Sequence, residues 1–270
     1  MEPVESDSVA VDGLRVAYRR AGAGPALVLL HGYVGDSREW RGQLDGLADE
    51  FTVVAWDAPG AGESDDPPES FRMPDYADCL AHFIAALELE RPHVAGLSFG
   101  SAVALELAHR HPAVPTSLVL AAAYAGWAGS LAPEVVDERL RQSVFLAEHP
   151  PEGIVPAVMP TLFPASTPAE RVGEFAQVML EFHPAGIVAM AHSLAAADLR
   201  EALPTIDVPT LLLYGDADTR ASLDVAGALH AGIPDSKLVV LNGVGHMINV
   251  QEPERFNDEV RRFLRSVVRP

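Results

Sequence analysis

The feature of this chain best suited to chemistry is a serine between two glycines, Gly96-Leu97-Ser98-Phe99-Gly100. It follows an apolar run ending near Ala95 and opens the helical run 101–110. A nucleophile there would sit on a tight strand-to-helix turn in strained backbone geometry. Neighbouring turns approach so closely that the positions two before and two after tolerate little beyond glycine. A hydroxyl is a weak nucleophile near neutral pH and needs a base within hydrogen-bond reach. His246, in Gly243-Val244-Gly245-His246 after the last apolar run, fits that role. Of the other histidines, His93, His109, His111 and His230 sit at element ends and read as surface or structural. The base in turn needs a carboxylate to fix its tautomer and stabilise the imidazolium. Gly215-Asp216-Ala217-Asp218 offers two. Asp218 is preferred, and Asp216, as a turn residue, stays the alternative.

Acyl chemistry at Ser98 also needs donors for a developing oxyanion. The helix after the serine points its first N–H groups that way, beginning with Phe99. His31-Gly32-Tyr33, at the end of another apolar run, would supply a second backbone donor from Tyr33. Asp57-Ala58-Pro59-Gly60-Ala61-Gly62-Glu63-Ser64 reads as a structural turn: it has no Walker lysine, and a dinucleotide fingerprint would lack its third glycine. No cofactor is expected. No His-Glu-x-x-His pattern or cysteine pair suggests a metal, so none is expected either.

The elements that must carry these residues alternate short apolar runs with amphipathic ones, the pattern of a mostly parallel sheet flanked by helices. Residues 8–11 and 14–18 alternate around Asp12-Gly13 as a hairpin. Runs at 26–30, 52–56, 92–96, 117–120, 210–214 and 237–241 read as buried strands. Residues 75–89 place Tyr76, Leu80, Phe83, Ile84 and Leu87 on one helical stripe. The last helix, beginning beside Pro253, does the same with Phe256, Val260, Phe263, Leu264 and Val267. Residues 125–203 break the alternation with helical segments alone, among them a capping-box start at Thr167-Pro168-Ala169-Glu170. An insertion this long between two strands is expected to be a lid or binding element. The division is therefore a core of 1–124 and 204–270 and a helical cap of 125–203.

Composition sets outer limits. The chain has 270 residues, enough for one large core, and a formal charge of −19, which repels phosphate backbones and anionic headgroups. Nucleic acid and membrane are therefore not expected as partners. No run of eighteen apolar residues occurs, the first dozen residues are acidic rather than signal-like, and Cys79 is the sole cysteine. These point to a cytoplasmic protein acting on a small molecule, as a monomer or homodimer.

Taken together, His31-Gly32, Asp57 through Ser64, Gly96 through Gly100, Asp218 and His246 resemble the α/β-hydrolase family across nearly the whole chain. The order Ser, Asp, His is the one that family uses. The segment Glu252-Pro253-Glu254-Arg255-Phe256 also looks like its closing loop and helix. The resemblance implies an eight-stranded, twisted, mostly parallel sheet with a helical cap after the sixth strand. Some relatives carry the triad acid after that strand; residues 118–124 hold no carboxylate, which favours Asp218. Serine at 98 argues against the dehalogenase and epoxide-hydrolase branches. Tyr33-Val34 and Ser101 depart from the pattern of carbon–carbon hydrolases and weaken that branch. What remains is similar to small esterases and lactonases, including enol-lactonase-like proteins.

The expected reaction is therefore acyl transfer from an ester or lactone to water. Trp127, Phe145, Leu146, Met159, Leu162, Phe163, Met179, Phe182 and Met190 are the candidates for lining an apolar pocket. The cap's cations, Arg139, Arg141 and Arg171, give no clear support for carboxylate recognition. A cyclase, lyase or perhydrolase on the same triad, a carbon–carbon hydrolase, or a ligand-binding receptor are the alternatives.

Overall fold

The computed structural model describes residues 5–267, so the first four residues of the acidic N-terminal stretch lie outside it. Two strands open the fold, Ser6–Val11 (β1) and Leu14–Ala21 (β2), joined at Asp12-Gly13 with Val11 opposite Leu14. Both turn residues take positive φ, at 51° and 86°, the geometry that suits the right-handed twist of a hairpin.

Next come Ala26–Leu30 (β3), Thr52–Trp56 (β4), His93–Leu97 (β5), Ser117–Ala121 (β6) and Thr210–Gly215 (β7). Apart from half-buried Ala26, every residue in them is buried, which is why they read as unbroken apolar runs. Ser236–Leu241 (β8) closes the sheet at a half-exposed edge. The order is β1-β2-β4-β3-β5-β6-β7-β8, with β1, β2 and β4 antiparallel in succession and every later pair parallel. This is the expected eight-stranded, mostly parallel α/β sheet.

Helices Arg41–Leu47 (α1), Met73–Ala86 (α2), Phe99–Arg110 (α3), Leu223–Gly232 (α8) and Pro253–Val267 (α10) belong to the part of the chain that builds the sheet, with the short Ile248–Gln251 (α9) before the last. The stripe on α2 buries Tyr76, Leu80, Phe83 and Ile84, and that on α10 buries Phe256, Val260 and Leu264. Helix α2 begins two residues before the expected start because the Asp75 carboxylate accepts from the Arg72 N–H, making Arg72 the cap. Between β6 and β7 the chain inserts Pro133–Glu148 (α4), Pro151–Leu162 (α5), Ala169–Met179 (α6) and Pro184–Ala196 (α7), with no strand among them.

One local expectation fails. Helix α6 starts at Ala169, one residue late, because Pro168 keeps an extended ψ of 130° and takes the cap position. The Thr167 amide is drawn into a turn with the Pro164 carbonyl, and no side chain caps this helix. No single helix among the described residues is long and apolar enough to cross a membrane; α6 and α7 reach that composition only as a pair bent by 101°.

Candidate active site

Ser98 follows β5 and caps α3 with φ 52° and ψ −104°, a conformation that costs a side-chain-bearing residue about 1–3 kcal/mol. The surroundings enforce it. A Cβ on Gly96 would lie 2.3 Å from the Gly100 carbonyl carbon, and one on Gly100 would lie 2.1 Å from the Leu30 carbonyl oxygen. Backbone bonds pin both sides of the turn: Ser98 N–H to the Ala121 carbonyl at 2.9 Å and Gly100 N–H to the His31 carbonyl at 3.1 Å. The Ser101 hydroxyl braces it from below, donating to the Gly96 carbonyl at 2.6 Å. Ser98 is 6% exposed, and its hydroxyl has no hydrogen-bond partner among the described residues.

The Phe99 N–H begins α3 and therefore has no partner within the helix. Tyr33 lies in the loop after β3, and its N–H likewise donates to nothing among the described residues. His31 shapes that loop. Its Nε2 accepts from the Ala58 N–H at 3.0 Å, so Nδ1 carries the proton and donates to the Gly32 carbonyl at 2.7 Å. Burial holds its pKa below the usual range, consistent with a neutral ring. The Asp57 loop is structural, as expected: its carboxylate accepts from the amides of Ser37 and Glu63, and Ser64 donates to the Asp57 carbonyl.

Asp218 and His246 come from the loops after β7 and β8, at the same C-terminal edge of the sheet as Ser98. His246 Nδ1 lies 2.8 Å from Asp218 Oδ2, with side chains 5% and 0% exposed. The other carboxylate oxygen accepts from the amides of Arg220 and Ala221 at 2.7 and 3.0 Å. Burial pushes the Asp218 carboxyl up, but His246 and these amides outweigh it and leave it below the usual range. Asp216 is exposed and accepts from the Gly243 N–H at 2.6 Å. The alternative therefore resolves: Asp218 meets the histidine, and Asp216 ties the two loops together.

Contacts with the inserted helices went unseen in the sequence. The His246 N–H donates to the Leu162 carbonyl at the end of α5, at 3.0 Å. Arg220 donates to Thr161 Oγ1, also on α5, at 3.1 Å. Arg139 on α4 donates to the Tyr124 hydroxyl and the Arg220 carbonyl, and its guanidinium lies over the rings of Tyr124 and Trp127. Trp127 in turn meets Tyr33 edge-on, with centroids 5.9 Å apart. Of the proposed lining residues, Trp127 is thus joined to the loop after β3. Leu146, Met159, Leu162, Phe163, Met179 and Met190 are buried, and Phe182 is half-buried. Phe145 departs from expectation. It is 52% exposed, stacks on His149 of its own segment, and edges an outer groove with Leu140, Val144 and His192, away from Ser98 and His246. Among the described residues no three His, Cys, Asp or Glu side chains converge as a metal site requires.

Comparison with known proteins bears on the family and the fold. The family model for the alpha/beta hydrolase fold matches residues 25–253. A thermophilic esterase from Thermogutta terrifontis, solved with malate bound, superposes with a TM-score of 0.89 at 29% identity, covering 97% of this chain and 99% of its own. The enol-lactonase of Burkholderia xenovorans gives 0.87 at 26% identity, covering 96% and 100%. An uncharacterised protein of Mycobacterium tuberculosis is 30% identical over 281 residues, covering 94% of this chain and 79% of its own. The chain belongs to the alpha/beta hydrolase fold family.

Proposed function

We propose that this protein is a serine hydrolase that cleaves an ester or lactone of a small to medium, mostly apolar substrate. The observation that carries the reading is the buried Asp218–His246 pair, set at the same sheet edge as a serine strained onto a strand-to-helix turn. Ser98 Oγ attacks the carbonyl carbon while His246 Nε2 takes its proton, and Asp218 holds Nδ1–H and stabilises the imidazolium. The Tyr33 and Phe99 amides, both without an acceptor among the described residues, hold the tetrahedral oxyanion; each such donor lowers the barrier by about 3 kcal/mol.

Collapse of the intermediate expels the alcohol, which takes the proton from His246 and, in a lactone, stays tethered to the acyl chain. Water deprotonated by His246 then attacks the acyl-enzyme, releasing the acid and restoring Ser98. The helices α4 to α7 act as a cap over this site and supply its apolar walls, with Trp127 bridging cap and oxyanion loop. An esterase and an enol-lactonase among the similar structures support the same substrate class. A cytosolic setting fits the lone, buried Cys79 and the acidic composition.

The test is turnover of a panel of p-nitrophenyl esters and simple lactones by the wild-type chain and by Ser98→Ala. The expected outcome is turnover by wild type, reduced by about 10^4-fold or more in Ser98→Ala. Equal activity in both would remove Ser98 as nucleophile, and silence from wild type across the panel would remove the ester–lactone reading.

A further inference from the structure

Beneath the Tyr33 loop lies a carboxyl group that the hydrolytic steps leave unused. Glu39, in the 3₁₀ turn Ser37–Trp40, is 5% exposed. One carboxyl oxygen, Oε1, accepts from the Gly32 N–H at 3.3 Å. The other, Oε2, is buried with no partner, and a Cβ on Gly35 would lie 1.9 Å from it, so the loop wraps directly over the acid. No cation pairs with Glu39 among the described residues. The same residue reaches the base side. Its backbone carbonyl accepts from Asn249 Nδ2 at 3.3 Å, and Asn249 sits on α9, immediately after the His246 loop.

Burial disfavours the charged form of this acid and Asp36 adds to it, outweighing the Gly32 N–H and the Asn249 side chain, which favour the charge. Asp36 lies close enough to repel it and is itself occupied by Arg38, which also reaches Glu181 from the inserted helices. Asp57, in the loop after β4, accepts from the Ser37 and Glu63 amides, and His31, at the end of β3, is buried with its ring bonded to backbone. From the last two helices, the Asn249 amide donates to the Glu39 carbonyl and Phe256 packs against Trp40, and neither carries a charge. A lone buried carboxylate in such a place is far costlier than a carboxylic acid. A proton also turns Oε2 from an unpaired acceptor into a donor.

We propose that Glu39, as a neutral carboxylic acid, is a positioning residue that sets the Gly32–Gly35 loop and ties it to the helix following His246. The role rests on the proposed hydrolytic reading, in which the Tyr33 N–H holds the oxyanion. Burial, with Asp36 adding to it, places the Glu39 carboxyl well above the usual carboxylate range. The folded chain therefore keeps a proton that the unfolded chain has released. Stability from this group is full below the unfolded value of 4.5 and declines as pH rises toward the folded value. Glutamine keeps the Oε1 acceptor and a donor but cannot ionise.

The experiment compares wild type with Glu39→Gln and Glu39→Leu, measuring kcat and KM on an ester that wild type turns over, together with melting temperature from about pH 5 to about pH 10. Glu39→Gln should keep kcat within about threefold at neutral pH and should gain melting temperature over wild type steadily as pH rises. Glu39→Leu should lose about 100-fold in kcat with KM little changed, since a misplaced oxyanion donor acts on the transition state. A wild-type and Glu39→Gln melting difference that stays flat with pH would overturn the proposal, as would a folded Glu39→Leu with wild-type kcat. If Glu39→Leu fails to fold, the Glu39→Gln pH course still decides. If wild type turns over no ester, the hydrolase reading falls by itself, while the melting comparison still reads Glu39 without any substrate.

Discussion

Ser98 and the Asp218–His246 pair reach the same edge of the sheet by different means. The Ser98 turn is held wholly within the core: Gly96 and Gly100 leave room for backbone from neighbouring turns, and Ala121, His31 and Ser101 supply the bonds that pin it. The acid–base side rests on the inserted helices instead. His246 is anchored to the Leu162 carbonyl, Arg220 to Thr161, and the loop carrying Asp218 to Arg139. Rigid backbone packing fixes the strained residue, which must resist relaxation. His246, the base in the proposed reaction, is fixed instead by contacts with the inserted helices. Damage to the core should therefore abolish the fold, whereas damage to the inserted helices should detune the reaction.

The largest effect is expected at the elbow. Gly100→Ala forces a methyl into the Leu30 carbonyl, and the backbone on both sides is pinned, so the cost is about 3 kcal/mol or more. A urea melt should show a far less stable protein or no folded protein at all; a stable, active Gly100→Ala would sink the claim that close packing holds Ser98.

Next is Asp218→Asn, which should lower kcat by about 10^4-fold in the ester assay while the chain stays folded. It also carries a pH signature. Because the folded carboxyl lies below its unfolded value, its stabilisation is present above that value and is lost as pH falls through the folded one. The stability gap between wild type and Asp218→Asn should thus narrow as pH falls below the unfolded value of 3.8, and a constant gap would count against a carboxylate held in its charged form by His246 and the loop amides.

Arg139→Ala tests the inserted layer. Losing two hydrogen bonds and the stacking over Tyr124 and Trp127 should cost about 1–2 kcal/mol in a thermal melt and about tenfold in kcat. Arg139→Lys should recover little, because a point charge cannot bond the Tyr124 hydroxyl and Arg220 carbonyl in the same fork. Wild-type kinetics in Arg139→Ala would place the control of the acid loop in the core after all. The smallest effect belongs to Phe145→Ser: with half its surface in solvent, it should change activity less than about twofold and stability by about 0.5 kcal/mol or less.

The residues legible in the sequence were those whose roles are set by their immediate neighbours. The elbow announces itself because glycine is required on both sides of Ser98, and the strands because burial on both faces demands uninterrupted apolar runs. His246 and Asp218 could be read because each follows a strand end in a loop rich in glycine or turn residues. The choice between Asp216 and Asp218 needed coordinates: two residues apart in one turn, they point to different partners. Thr167 misled for a related reason, since a capping pattern names a candidate helix start and the turn at Pro164 moved it by one residue.

What the sequence determined by itself was the sheet, the order of its elements, the elbow and the identity of the residues at its edge, because each depends on local periodicity and on steric demands within a few residues. Only the tertiary structure decided what holds them. The Asn249–Glu39 bond spans 210 positions and the Arg139–Arg220 bond spans 81, and nothing in either local pattern marks the partner. Such contacts form only once separate layers pack, because a buried polar group must find whatever donor or acceptor the neighbouring layer presents.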